Sequence, residues 1–148
     1  MKKIMFVGPV GVGKTTLTQR LKGLDITYYK TQAIQFHDAI IDTPGEFLQH
    51  RRYYNALTVT AAEADVIGIL VAATQQMQTF PQGFSSLFTK PVIGVITKVD
   101  LVSDDTAVKR AREQLEQAGA RRIFEVSAVA DTGVEALKTY LEDEASDT

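Results

Sequence analysis

One octapeptide limits what this chain can fold into more than anything else in it. Gly8-Pro9-Val10-Gly11-Val12-Gly13-Lys14-Thr15 fits the pattern G-x-x-x-x-G-K-[ST] at every fixed position. It follows a continuous apolar run, Ile4 to Val7, as expected of a strand buried on both faces. It precedes Lys14 to Lys22, where Leu17 and Leu21 fall on one helical face. The expected local order is therefore strand, loop, helix. The glycines allow backbone angles and close approaches that a Cβ would block. Successive N–H groups then form a concave nest for phosphate oxygens, and the positive end of the helix adds to it. Lys14 reaches the outer phosphates and Thr15 offers a hydroxyl to Mg²⁺. The candidate nucleotide-binding residues here are Gly8, Val10, Gly11, Val12, Gly13, Lys14, Thr15 and Thr16. The loop implies a nucleoside triphosphate. By itself it chooses no base and promises no hydrolysis.

The rest of the chain alternates short apolar runs with longer amphipathic ones. Gln32 to Phe36 and Ala39 to Ile41 read as strands turning at His37-Asp38. Arg52 to Ala64 reads as a helix, and Val66 to Ala72 and Val92 to Ile96 as buried strands. Asp104 to Ala118 reads as a helix capped by Ser103 and ended by Gly119. Ile123 to Val126 is a last strand, and Thr132 to Leu141 a last helix burying Val134, Leu137 and Leu141. Alternating strands and helices imply a three-layer α/β domain. Its sheet would have about six strands, mostly parallel, with the hairpin making one edge strand antiparallel, and helices, about five of them, on both faces. One domain is expected over 1–142, with an acidic, frayed tail over 143–148.

Composition excludes several function classes. Lys plus Arg is 16 against 18 for Asp plus Glu, so bulk charge offers no nucleic-acid surface. No cysteine is present, which removes disulfides, thiolate metal sites and a Cys nucleophile, and fits a reducing compartment. No apolar run is long enough to cross a membrane. The expectation is a cytoplasmic protein without membrane or nucleic-acid partners. His37 and His50 lie in no cluster with metal-ligand spacing and read as solvated positions.

Three further motifs take meaning from their register with the loop. Asp42-Thr43-Pro44-Gly45 closes a strand, where an Asp is placed to hold Mg²⁺ through water and the Gly45 N–H to approach a γ-phosphate. Thr97-Lys98-Val99-Asp100 closes another strand. The Asp100 carboxylate can accept from both N1–H and the exocyclic amine of guanine, a donor pair that adenine lacks. The Lys98 stem can lie on the base. At Ser127-Ala128, the Ala128 N–H can donate to guanine O6.

Taken in order and spacing, Gly8 to Thr15, Asp42 to Gly45, Thr97 to Asp100 and Ser127-Ala128 resemble the Ras-like, translation-factor-class GTPases across residues 4–141. Within that class, the loop with Thr16, Lys30-Thr31-Gln32-Ala33-Ile34 and Ile41 to Glu46 resembles the EutP/PduV family of ethanolamine and propanediol utilisation. That resemblance implies GTP or GDP with Mg²⁺, and an association with bacterial microcompartment metabolism. It implies a first-switch threonine that folds over the γ-phosphate and metal. Thr31 is the candidate, with Thr27 as runner-up, and Tyr28 and Tyr29 stand where an aromatic can pack edge-on to the base, with a core or surface aromatic as the alternative.

The chain departs from the class pattern at several points. Thr97 replaces the commoner Asn, but its hydroxyl can still tie this loop to the phosphate loop. Glu46 stands where a water-orienting Gln is usual, and Gln49 is a weaker candidate. A carboxylate near the γ-phosphate is electrostatically awkward. Val10 would crowd a partner's arginine finger, and Gly11 stands where potassium-activated relatives place an Asn. The catalytic candidates are Lys14, Thr31, Gly45 and Glu46, and the metal candidates Thr15, Thr31 and Asp42. Slow hydrolysis is expected, at about 10⁻⁴ to 10⁻³ per second.

Three functions compete at this point. One is a guanine-nucleotide switch read by a protein partner, with Arg51 to Tyr54 in or near the second switch. Another is a kinase passing the γ-phosphoryl of ATP or GTP to a small carboxylate such as acetate. A third is an assembly or localisation module that binds nucleotide and scarcely turns it over. The Gln75–Phe80 loop has no assigned purpose.

Overall fold

The computed structural model describes residues 2–9, 11–21, 35–37, 40–45, 51–75, 80–127, 130 and 132–142. Strand β1 (Ile4–Val7) leads through the glycine loop into α1 (Lys14–Leu21). β2 (Gln35–His37) and β3 (Ile40–Asp42) follow, and then α2 (Tyr54–Ala61) after a 3-10 turn at Arg51–Tyr53. The second half runs β4 (Val66–Ala72), β5 (Val92–Thr97), α3 (Asp105–Ala118), β6 (Ile123–Glu125) and α4 (Val134–Glu142).

The six strands lie in the order β2-β3-β1-β4-β5-β6. Every pairing is parallel except β2 with β3. The α/β sheet with an antiparallel edge is therefore as expected. β3 and β4 flank β1 on opposite sides, so the loop after β1 sits where the winding of the sheet reverses.

Burial on both faces explains why the strands read as continuous apolar runs. Met5 and Val7 point to the face covered by Leu57 of α2 and by Ala111, Leu115 and Ala118 of α3. Ile4 and Phe6 point to the face covered by Leu17 and Leu21 of α1 and by Val134, Leu137 and Leu141 of α4. Strand periodicity sends alternate residues to opposite layers. No helix among the described residues is long and apolar enough to cross a membrane.

Some boundaries differ from the sequence reading, each for a physical reason. His37 pairs with Ile40, so it belongs to β2 and not to the turn. The cap of α3 is Asp104, whose carboxylate accepts from the Thr106 N–H at 2.7 Å; Ser103 lies one residue too early. Gly119 does end that helix, at φ 105°. The helix expected from Arg52 begins later, because Arg51–Tyr53 form the tighter 3-10 turn. α2 accordingly starts at Tyr54, and it stops at Ala61, short of Ala64. α4 begins at Val134 because Thr132 is held in a backbone bridge to Ser127 and Gly133 turns at φ 75°.

One glycine sets the spacing between layers. A Cβ on Gly94 of β5 would meet Leu115 Cδ1 at 2.9 Å and Ala120 Cβ at 3.2 Å. α3 therefore sits closer to the sheet than a side chain at 94 would permit. Gly94→Val should cost about 1–3 kcal/mol by overpacking. Urea unfolding of the variant measures it, and an unchanged midpoint would show that the layers part freely.

Candidate functional site

The site lies along the carboxyl ends of β1, β3 and β5. Gly11 and Gly13 have φ of 82° and 102°, angles that a side chain would strain. Gly8 serves close approach instead: a Cβ there would lie 2.9 Å from Val12 Cγ1 and 3.1 Å from Leu70 Cβ. The Val12 N–H closes the turn onto the Pro9 carbonyl at 3.2 Å, and the Leu17 N–H bonds Gly13 O at 3.0 Å. The loop thus feeds directly into the first turn of α1, whose amino end faces the same space.

Lys14 is buried, and its Nζ donates to the Gly8 carbonyl at 3.1 Å. Burial pushes its ammonium below the ordinary lysine range, while the Asp42 carboxylate pulls it back up. The unfolded chain therefore holds this proton more tightly than the folded one. Stability of the unligated protein should rise with pH between the lowered value and the ordinary lysine value. Affinity for a phosphate held by this ammonium should fall across the same interval. Urea unfolding and pyrophosphate titration, followed downward in pH from the ordinary lysine value, test both signs. A flat affinity profile would remove Lys14 from the phosphate site.

Asp42 ends β3 in register with Phe6 of β1, which brings its carboxylate beside the start of α1. The Thr15 hydroxyl lies 3.5 Å from Asp42 Oδ2, a long hydrogen bond. Both donors are hard oxygens, and Asp42 is only 2% exposed. That donor set fits Mg²⁺, which binds through few protein oxygens and keeps much of its water. Sequence alone gives Thr43 no role. Its hydroxyl donates to the Phe6 carbonyl at 2.7 Å and fastens the Asp42–Gly45 segment to β1. Only its place between Asp42 and Pro44 could have signalled this.

The end of β5 is tied to the phosphate loop twice. The Thr97 hydroxyl donates to Val12 O at 2.6 Å, the link expected of a threonine in that position. Lys98 Nζ donates to Gly11 O at 2.6 Å. Among the described residues, Lys98 is the one non-glycine with positive φ, at 59°. This left-handed turn sends its side chain back across the loop. Asp100 follows in the exposed turn Val99–Leu101. The Val99 N–H bonds Val126 O at 3.3 Å, so the Asp100 turn leans on the end of β6. Ser127 is buried there, and its Oγ accepts from the Ala130 N–H at 3.1 Å.

The fold therefore gathers Gly8, Gly11, Val12, Gly13, Lys14, Thr15, Asp42, Thr97 and Lys98 around one loop, with Asp100 and Ser127 on the adjoining strand ends. Thr16 is buried in α1, and Gly45 is buried after β3. Val10, Thr27, Tyr28, Tyr29, Thr31, Glu46, Gln49, His50 and Ala128 lie outside the described residues. Of the Gln75–Phe80 loop, Gln75 and Phe80 are described. Phe80 is buried against Phe84, and its N–H donates to Gln114 Oε1 at 3.2 Å.

A family model described as "Ethanolamine utilisation - propanediol utilisation" matches residues 1–143. The chain is 43% identical to the propanediol utilization protein PduV of Citrobacter freundii, over 95% of this chain and 93% of that protein. It is 40% identical to the "Probable acetate kinase EutP" of Salmonella typhimurium, over 95% of this chain and 89% of that protein. It is also 30% identical to the GTPase Era of Sinorhizobium medicae, covering 93% of this chain but 51% of Era. On this similarity the chain belongs to the PduV-EutP family of ethanolamine and propanediol utilisation.

Proposed function

We propose that this protein binds guanine nucleotide with Mg²⁺ and hydrolyses GTP slowly. Lys14 and the loop amides hold the phosphates, with Thr15 and Asp42 at the metal. Asp100 and the Ser127-Ala128 segment read the base. Gly45, Thr31 and Glu46 are assigned to the γ-phosphate side. The observation that carries the reading is the double tie from Thr97 and Lys98 to the phosphate loop. It sets the strand end bearing Asp100 beside the loop that takes phosphates. Similarity to Era supports guanine over adenine. The family supports a place in ethanolamine or propanediol metabolism, in or near a microcompartment. Ordering of the γ-phosphate side by GTP and its release on hydrolysis would make a switch read by a protein partner.

A second reading draws on the name of the EutP relatives: phosphoryl transfer to acetate. One experiment separates the two. Nucleotide-free protein with Mg²⁺ is titrated with GDP, GTP and ATP, then incubated with each triphosphate with and without acetate. Guanine preference with release of free phosphate supports the GTPase. Acetyl phosphate formation, with ATP bound as well as GTP, overturns it in favour of the kinase. Guanine preference with no product of either kind would support the assembly module.

A further inference from the structure

We propose that Thr43 is a positioning residue for the metal: its buried hydroxyl fixes where β3 ends, and with it the Asp42 carboxylate. This rests on the Mg²⁺ reading above and names a residue that the reading does not use.

β3 runs beside β1 for three residues, pairing Ile40 with Ile4, Ile41 with Met5 and Asp42 with Phe6. That ladder stops there, whereas β1 goes on to pair Val7 with Ile69 of β4. Backbone pairing cannot be carried on through Pro44, which has no N–H to donate. Thr43 makes the next attachment with its side chain. It is fully buried, and its hydroxyl donates to the Phe6 carbonyl at 2.7 Å. Phe6 is also the residue that faces Asp42 in the ladder. The end of β3 is therefore pinned to one point of β1.

The other metal oxygen is referenced to the same strand. Val7 follows Phe6, and the glycine loop leaves β1 directly after it to enter α1, which carries Thr15. The 3.5 Å between the Thr15 hydroxyl and Asp42 Oδ2 thus depends on how firmly each segment is held to β1. Mg²⁺ demands near-ideal octahedral geometry, with oxygens at about 2.0–2.1 Å. An oxygen that binds the ion, or one of its waters, has little room to drift. A small shift at Asp42 is felt by the metal, while the loop that takes the phosphates stays in place.

The test measures GDP affinity by calorimetric titration at saturating Mg²⁺ and again in excess EDTA. The ratio of the two is the gain from Mg²⁺. Thr43→Val nearly keeps the shape but loses the hydroxyl, and should lower that gain about 10-fold, the worth of one hydrogen bond. GDP affinity in EDTA should stay within about twofold of wild type. Thr43→Ser keeps the hydroxyl and should hold the gain within about threefold of wild type. In an Asp42→Asn background, Thr43→Val should lower the gain no further, because both changes act on one ligand. Thr43→Ala differs from Thr43→Ser only in the hydroxyl, and that pair carries the same comparison should the valine variant fail to fold. An unchanged gain overturns the proposal even where stability falls, since a purely structural tie would weaken GDP alike with and without Mg²⁺. Additive losses in the double variant overturn action through Asp42. A wild-type protein that gains nothing from Mg²⁺ overturns the metal reading itself and this assignment with it, a result distinct from the others.

Discussion

Replacing Lys14 by methionine should lower triphosphate affinity about 100-fold and leave the fold standing. Methionine keeps a long unbranched stem in the same buried place but brings no charge. In the unligated protein the ammonium is poorly solvated: burial weighs on it more than Asp42 relieves it. Removing the charge therefore removes a desolvation cost, while Asp42 loses a neighbouring cation. These oppose each other, so the melting temperature should move by only a few degrees either way, at about 3 °C per kcal/mol for this chain length. Phosphate binding has no such compensation, because the charge that faces the anion is gone. Calorimetric titration with GTP and a thermal melt of the same sample check both parts. An affinity loss accompanied by collapse of the fold would mean that Lys14 holds the loop together through Gly8 and does not itself bind phosphate.

Asp100→Ala should abolish guanine preference, a loss of at least about 100-fold in the GDP-to-ADP affinity ratio. The size follows from an asymmetry in hydrogen bonding. A carboxylate that accepts two bonds from guanine is left facing a ring nitrogen, another acceptor, when adenine enters. Asp100 sits in an exposed turn, so alanine there leaves no buried group unsatisfied and should not disturb folding. Binding of GDP and ADP to wild type and variant, measured side by side, gives the ratio directly. A ratio unchanged by the substitution would place base recognition elsewhere.

The parts of this molecule that were legible in the sequence share a local cause. β1 and β4 have the expected bounds because four and seven consecutive residues are buried on both faces, and such runs leave little ambiguity. The glycine loop was legible because its constraints fall on adjacent residues. The tie from Thr97 to the loop was legible because a hydroxyl at that place in the motif has one obvious acceptor region. What sequence did not reveal depends on contacts between distant segments. Thr43 reaches the Phe6 carbonyl on the neighbouring strand, and Lys98 reaches Gly11 from a left-handed turn. Neither has a periodic signature. The choice of Asp104 over Ser103 as cap turned on one residue of register, which two adjacent capping residues cannot settle by composition. The close packing at Gly94 and Gly133 was equally hidden, since a glycine in sequence looks the same whether it faces solvent or a neighbouring carbonyl.

The backbone bond from the Lys2 N–H to the Leu141 carbonyl, 2.7 Å long, has a consequence for anything joined to this domain. It brings the approach to β1 and the exit from α4 to one spot on the molecule. The phosphate loop begins only after the full length of β1, about 13 Å further along. A fused tag or neighbouring domain attached at either point would hang from the rear of the sheet, leaving the nucleotide mouth clear. Two attachments, one at Lys2 and one at Leu141, would emerge side by side and not at opposite ends.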